Sequence, residues 1–140
     1  MDLADCLERV LELRNAPLPR ADATLSKDGG PGYLVLYLRT SGTFCEDRSQ
    51  ANEVWDRFSQ DCLGLTEALG GVWGPAGSVD LSPVLDRAMR GETVSALADV
   101  LSNFVPSVSA WRFEDRTVCV AVGQWDAELP VVLVAAAGEL

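Results

Sequence analysis

The last third of the chain, residues 107–137, constrains the fold most, because three apolar, β-rich runs follow one another there. The runs are SVSAWRF, RTVCVAVG and LPVVLVAAA. In the second run Val118 and Val120 face one way while Cys119 and Ala121 face the other, which is the period of an extended strand. The third run is apolar without alternation, which indicates a strand covered on both faces. We therefore expect these runs to form the centre of a sheet.

Upstream of this region the hydrophobic pattern predicts about four helices and one strand. Residues 72–79 (VWGPAGSV) contain too many turn formers for a regular element, and we expect Val72 and Trp73 to be buried beneath that loop. A further turn is expected at Asp28, Gly29 and Gly30. The predicted elements, in chain order, are a helix from the cap Asp2 to Pro17, a strand over residues 33–40, a helix from the cap Asp47 to Gly70 and Gly71, a helix from Ser82 to Gly91, and a helix from Thr93 to Pro106.

The order of these elements defines the expected fold class. Helices in a run, followed by strands in a run, indicate an α+β protein rather than an alternating α/β one. We predict a mainly antiparallel sheet of about four strands, one after the first helix and three at the C-terminus, packed against about four helices. The chain has 140 residues, the size of an ordinary domain, and residues 1–140 are predicted to form a single globular domain.

The charge balance restricts the partners that the chain can bind. It contains 21 acidic and 11 basic residues, a formal net charge of −10, so direct binding to a nucleic acid backbone is not expected. The longest apolar run, residues 129–137, is too short to span a membrane, and the N-terminus lacks the order of a signal peptide. We expect a cytoplasmic protein. The preference for arginine, with Lys27 as the one lysine, is typical of a GC-rich bacterial genome.

Residue types that carry most catalysis are missing. The chain has no histidine, which excludes Ser-His-Asp and Cys-His catalysis and histidine metal ligation. The cysteines form no C-x-x-C pair and match no zinc spacing, so we interpret them as reduced structural residues. We therefore predict a protein that is not an enzyme and that uses no cofactor or metal. The cysteines are Cys6, Cys45, Cys62 and Cys119.

Two carboxylates keep an enzymatic alternative open. Asp126 and Glu128 lie in the segment GQWDAELP between two predicted strands. A pair of carboxylates near a tryptophan could serve glycoside hydrolysis or metal binding. The spacing is also that of two side chains that point outward from a solvated turn, which is the interpretation we favour.

The tryptophans outside the predicted core are the best binding candidates. Trp73 and Trp125 occur among turn residues, and aromatic side chains in loops are the type that anchors interfaces. Trp125, with Asp126 and Glu128, would form an aromatic centre with an acidic rim. The alternative is that Trp125 folds back over the end of the sheet. The predicted partner-binding residues are Trp73, Trp125, Asp126 and Glu128, together with Asp56 and Glu67 of the second long helix.

The function that fits these features best is a small acidic protein-binding module, comparable to an immunity protein or antitoxin that inhibits a basic partner protein. The second reading is a structural or assembly subunit that acts through homo- or hetero-oligomerisation, for example as a homodimer. The third is a small-molecule sensor or a carboxylate-dependent enzyme. A symmetric dimer would favour the second reading, and a deep pocket with polar side chains would favour the third.

Overall fold

The computed structural model describes residues 3–19, 29–42, 49–126 and 128–140. Within these residues there are four helices and six strands. The helices are α1 (Leu3–Leu13), α2 (Ala51–Trp73), α3 (Ser82–Met89) and α4 (Ala96–Ser102). The strands are β1 (Gly29–Gly30), β2 (Tyr33–Thr40), β3 (Gly77–Asp80), β4 (Ser107–Arg112), β5 (Thr117–Gln124) and β6 (Val131–Gly138).

The strands form one antiparallel sheet in the order β1-β2-β6-β5-β4-β3. Strand β6 is buried along its whole length, as its unbroken apolar run predicts, and β5 is buried up to Gln124. The α+β class is therefore confirmed. The expected number of about four strands is wrong, because β1 and β3 add two edges. Both are short and glycine-containing, and backbone pairing defines them rather than a hydrophobic period.

Helices cover both faces of the sheet. Helices α1 and α2 pack on the face that carries Val118 and Val120, and α4 packs on the face that carries Cys119 and Ala121, as the alternation predicts. Helix α3 lies against α4. The buried core of the two layers includes Phe58, Leu65, Leu101, Val120 and Leu133.

The end of α2 differs from the prediction. Gly70 and Gly71 do not stop the helix, which continues to Trp73 and ends at Gly74, where φ is 91°. A glycine inside a helix costs only about 1 kcal/mol relative to alanine, and tertiary packing offsets that cost. The expected burial of Val72 is wrong, since 58% of it is exposed. Trp73 is half-buried.

Two local predictions are displaced along the chain. Gly29 and Gly30 form β1, so the turn falls at Pro31 and Gly32, where φ is 74°. Helix α4 begins after Ser95 rather than Thr93, because the Ser95 Oγ accepts a hydrogen bond from the Ala98 N–H at 3.2 Å. Four further predicted positions, Asp2, Asp28, Cys45 and Asp47, lie outside the described residues.

No helix in the described part of the chain combines the length and the apolar character needed to cross a bilayer.

Candidate functional site

The hairpin between β5 and β6 presents two large apolar side chains to solvent. Trp125 is 38% exposed and Leu129 is 42% exposed. The Leu129 N–H donates to the Asp126 carbonyl oxygen at 3.0 Å, and the Gln124 Nε2 donates to the Leu129 carbonyl oxygen at 2.9 Å. These bonds close the turn, so the hairpin holds Trp125 and Leu129 in place.

Trp125 is supported from one side by an aromatic stack. Its ring lies on Phe104, with centroids 4.1 Å apart and planes 14° from parallel. Phe104 in turn stacks with Tyr37 of β2 at 6.5 Å. The Gln124 N–H donates to the Phe104 carbonyl oxygen at 2.8 Å, which ties the hairpin to the chain after α4. Trp125 therefore folds back over the end of the sheet and still exposes part of its surface.

A groove of about 700 Å³ runs beside Trp125. It is mainly apolar and opens at the end of the sheet where β2, β5 and β6 meet. Ser41 links the ends of β2 and β6 beside the groove. The Ser41 Oγ accepts a hydrogen bond from the Val131 N–H, and the Ser41 N–H donates to the Val131 carbonyl oxygen, both at 2.9 Å. The residues that line the groove are Tyr37, Thr40, Trp125, Leu129, Pro130 and Val132.

The electrostatic character of the hairpin is acidic. Asp126 and Glu128 are both exposed beside the groove. The segment from Thr117 to Leu140 contains no lysine or arginine. The hairpin therefore combines an apolar surface with negative charge at its margin.

The other predicted binding residues lie elsewhere. Asp56 and Glu67 are exposed on α2, which packs on the sheet face opposite Tyr37 and Val132 of the groove. Trp73 packs edge-to-face on Trp111 at 5.5 Å and on Phe113 at 5.4 Å, next to the turn that follows β4. The structure therefore brings Trp125, Asp126 and Glu128 together and does not bring Asp56, Glu67 or Trp73 to them.

Sequence reasoning missed three members of the site, Tyr37, Phe104 and Leu129. Tyr37 and Phe104 belong to other elements, and only the sheet order places them beside the hairpin. Leu129 carried a usable signal, because a large apolar residue stands there in an otherwise polar turn.

The described acidic and thiol side chains do not gather into a metal site. Within residues 3–19, 29–42, 49–126 and 128–140, no three His, Cys, Asp or Glu side chains are grouped so that they could hold a metal ion. Cys6, Cys62 and Cys119 are free thiols. Burial raises the pKa of each of them, and that of Cys119 rises to about 12. These thiols are therefore protonated at neutral pH.

None of the protein families searched matches the chain, and neither the curated proteins nor the solved structures gave a match.

Proposed function

We propose that this chain is an acidic protein-binding module that docks a basic partner through the groove beside Trp125. The observation that carries the proposal is the pairing of two exposed apolar side chains, Trp125 and Leu129, with two exposed carboxylates, Asp126 and Glu128, on one turn. Scattered exposed apolar residues are normal on a protein surface, whereas a grouped apolar patch with a polar margin is typical of an interaction site.

The groove suits a protein partner because its anchor is already ordered. Trp125 is stacked on Phe104, and the hairpin is closed by hydrogen bonds, so little side-chain entropy is lost on binding. A partner that covered the remaining surface of Trp125 would desolvate an aromatic residue at the centre of the contact, which is where binding energy concentrates.

The charge of the chain supports a basic partner. The net charge is −10, and Asp126 and Glu128 give the groove margin the same sign as the whole molecule. Complementary charge accelerates encounter and rejects acidic competitors. We propose that the chain is an immunity or antitoxin-like protein. Such a protein inhibits a basic toxin or nuclease by combining an aromatic anchor with acidic charge. In this proposal it acts in the bacterial cytoplasm.

The exposed edge of the sheet supports a second candidate, an assembly subunit. Strand β3 is the last strand of the described sheet, and three of its four residues are exposed. An unpaired edge strand can pair with a second copy or another chain. Sedimentation across a range of concentrations tests this candidate. A dimer that Val79→Pro dissociates without unfolding would favour it, since proline cannot donate to a strand ladder.

The experiment that tests the first proposal compares three variants with the wild type in partner capture and binding kinetics. Trp125→Ala removes the anchor, and Asp126→Asn with Glu128→Gln removes the charges. Leu63→Ala is the matched control, because Leu63 is a 54% exposed apolar residue on α2, on the other face of the sheet. The partner is first captured on wild-type protein, and rates are then measured at low and high salt.

We expect Trp125→Ala to accelerate dissociation, with a loss of about 2 kcal/mol or more in binding free energy. The double charge variant should mainly slow association, and this effect should fade at high salt because ions screen exposed charges. Leu63→Ala should bind as the wild type does. Intact binding by Trp125→Ala together with a lowered melting temperature would show that Trp125 only stabilises the fold and that the interface lies elsewhere.

A further inference from the structure

A second cavity, of about 450 Å³, lies between α3, α4 and the strands β3 and β4. Its volume falls in the range of cavities that hold small molecules. The walls combine polar surface with a slightly larger share of apolar surface, and Leu81 and Ala98 within them are buried. The apolar residues that line it are Val79, Leu81, Val84, Val94, Ala98 and Leu140.

Two arginines from different elements line the same cavity. Arg87 comes from the last turn of α3. Arg112 ends β4 and alternates with Val108 and Ala110, which places it on the face that α4 covers. A helix and a strand thus contribute one guanidinium each to one space.

Neither guanidinium forms a salt bridge within the part of the chain that the structure describes. Arg112 makes no ion pair there, and Arg87 makes only a long hydrogen bond of 3.4 Å to the Thr93 carbonyl oxygen. Other arginines on the two faces of the sheet form salt bridges with carboxylates. These pairs are Arg14 with Asp115, Arg39 with Asp61, Arg57 with Glu53 and Arg90 with Glu92. In a chain with 21 acidic and 11 basic residues, two arginines that line one cavity without forming a salt bridge are unexpected.

We infer that this cavity binds a small organic carboxylate, with its head between Arg87 and Arg112 and its apolar body against the walls. Arginine presents a planar fork that matches a carboxylate, and the Thr93 and Ser95 residues add hydroxyl groups to the lining. Glu139 is the one acidic side chain of the lining, so the two guanidiniums exceed it by a single charge. That balance favours a carboxylate monoanion over a phosphate dianion.

This inference goes beyond the proposed protein-binding function and is independent of it. Arg112 pairs with Thr117 at one end of β5, whereas the Trp125 groove lies past Gln124 at the other end. Eight residues of strand separate the two by about 23 Å. Failure at one site therefore carries no information about the other.

The test is a titration of the full chain with octanoate, followed by two-dimensional amide NMR, with octan-1-ol and octyl phosphate as comparison ligands. We expect octanoate to shift the amides of Thr93, Ser95 and Arg112, and to bind more tightly than either comparison ligand. Arg87→Gln with Arg112→Gln should weaken octanoate binding by about tenfold or more, because charged hydrogen bonds are lost. Arg57→Gln with Arg90→Gln removes the same charge outside the lining and should leave binding unchanged.

Both substituted arginines are exposed, so the double variant is expected to fold, and an unchanged amide spectrum in the absence of ligand verifies this. Octanol binding as tightly as octanoate would overturn the inference, because the arginines would then play no part. Preferential binding of octyl phosphate would overturn the choice of a carboxylate. Absence of binding, or shifts confined to the Trp125 groove, would overturn the site itself.

Discussion

Gly123 lies directly against the backbone of Phe104. A Cβ atom at Gly123 would come within 2.6 Å of the Phe104 carbonyl oxygen, which is closer than real Cβ contacts allow. The same oxygen accepts the Gln124 N–H at 2.8 Å. The close approach therefore holds Phe104, two residues after the end of α4, against β5, and it positions the ring on which Trp125 stacks.

Gly123→Ala should destabilise the protein by about 1–3 kcal/mol, because the added methyl group meets backbone that cannot rotate away. Gly71→Ala is the matched control. A Cβ at Gly71 meets nothing within 4 Å, and the residue lies inside α2, so this change should stabilise by about 0.5–1 kcal/mol. Urea unfolding of both variants checks the opposite signs. A Gly123→Ala variant as stable as the wild type would contradict the close packing.

The stacked pair should show unequal costs when each ring is removed. Phe104 is buried, so Phe104→Ala should cost about 3–5 kcal/mol, whereas Trp125→Ala loses a partly exposed ring and should cost less. A double-mutant cycle should give a coupling of about 0.5–1.5 kcal/mol, the size typical of aromatic pairs. Additive effects in urea unfolding would show that the observed stacking does not contribute to stability.

Val120→Asp tests the two-sided burial of β5. Val120 is buried against the α1 and α2 layer, so an aspartate there would be desolvated without a partner, and we expect a loss of about 4 kcal/mol or more. Leu63→Asp on the exposed surface of α2 is the control and should change stability little. Thermal unfolding followed by circular dichroism compares them. An unchanged melting temperature for Val120→Asp would show that the strand is placed wrongly.

Stability should fall at alkaline pH because of the buried thiols. Burial raises the pKa of Cys119 from 9.0 to about 12, so an unfolded chain releases this proton near pH 9 while the folded chain retains it. The contribution is fully present below pH 9 and declines by about 1.4 kcal/mol per pH unit between pH 9 and 12. The raised pKa values of Cys6 and Cys62 act in the same direction. Cys119→Ala should therefore show a shallower decline in urea unfolding between pH 8 and 10.5, and equal slopes would contradict this.

We also expect all four cysteines, Cys45 included, to be present as thiols in the cell. Intact mass measured after alkylation of unreduced lysate protein should show four modified cysteines. A disulfide between Cys45 and Cys62 would contradict the predicted cytoplasmic location, because a reducing compartment does not maintain structural disulfides.

Features that depend on neighbours in the chain could be predicted from the sequence. The alternation in β5 assigned Val118 and Val120 to one face and Cys119 and Ala121 to the other, because successive residues of a strand point to opposite sides. The unbroken apolar run of β6 identified the centre of the sheet, because apolar side chains on both sides of a strand require both faces to be covered. The exposed aromatic turn at Trp125 was also visible in the sequence, because a tryptophan stands there among polar residues and turn formers.

The tertiary structure decided everything that depends on distant residues. Strand β3 could not be predicted from the sequence because its regular structure comes from pairing with β4. Helix α2 continues through Gly70 and Gly71 because Trp73, at its end, packs against Trp111 and Phe113. The Trp125 groove needs Tyr37 from β2 and Phe104 from the end of α4, which only the order β2-β6-β5 brings to the hairpin. Asp56 and Glu67 were grouped with Trp125 by charge alone, and the sheet separates them. Local periodicity determines which face a residue occupies, whereas contacts between faces and ends arise only when the whole chain has packed.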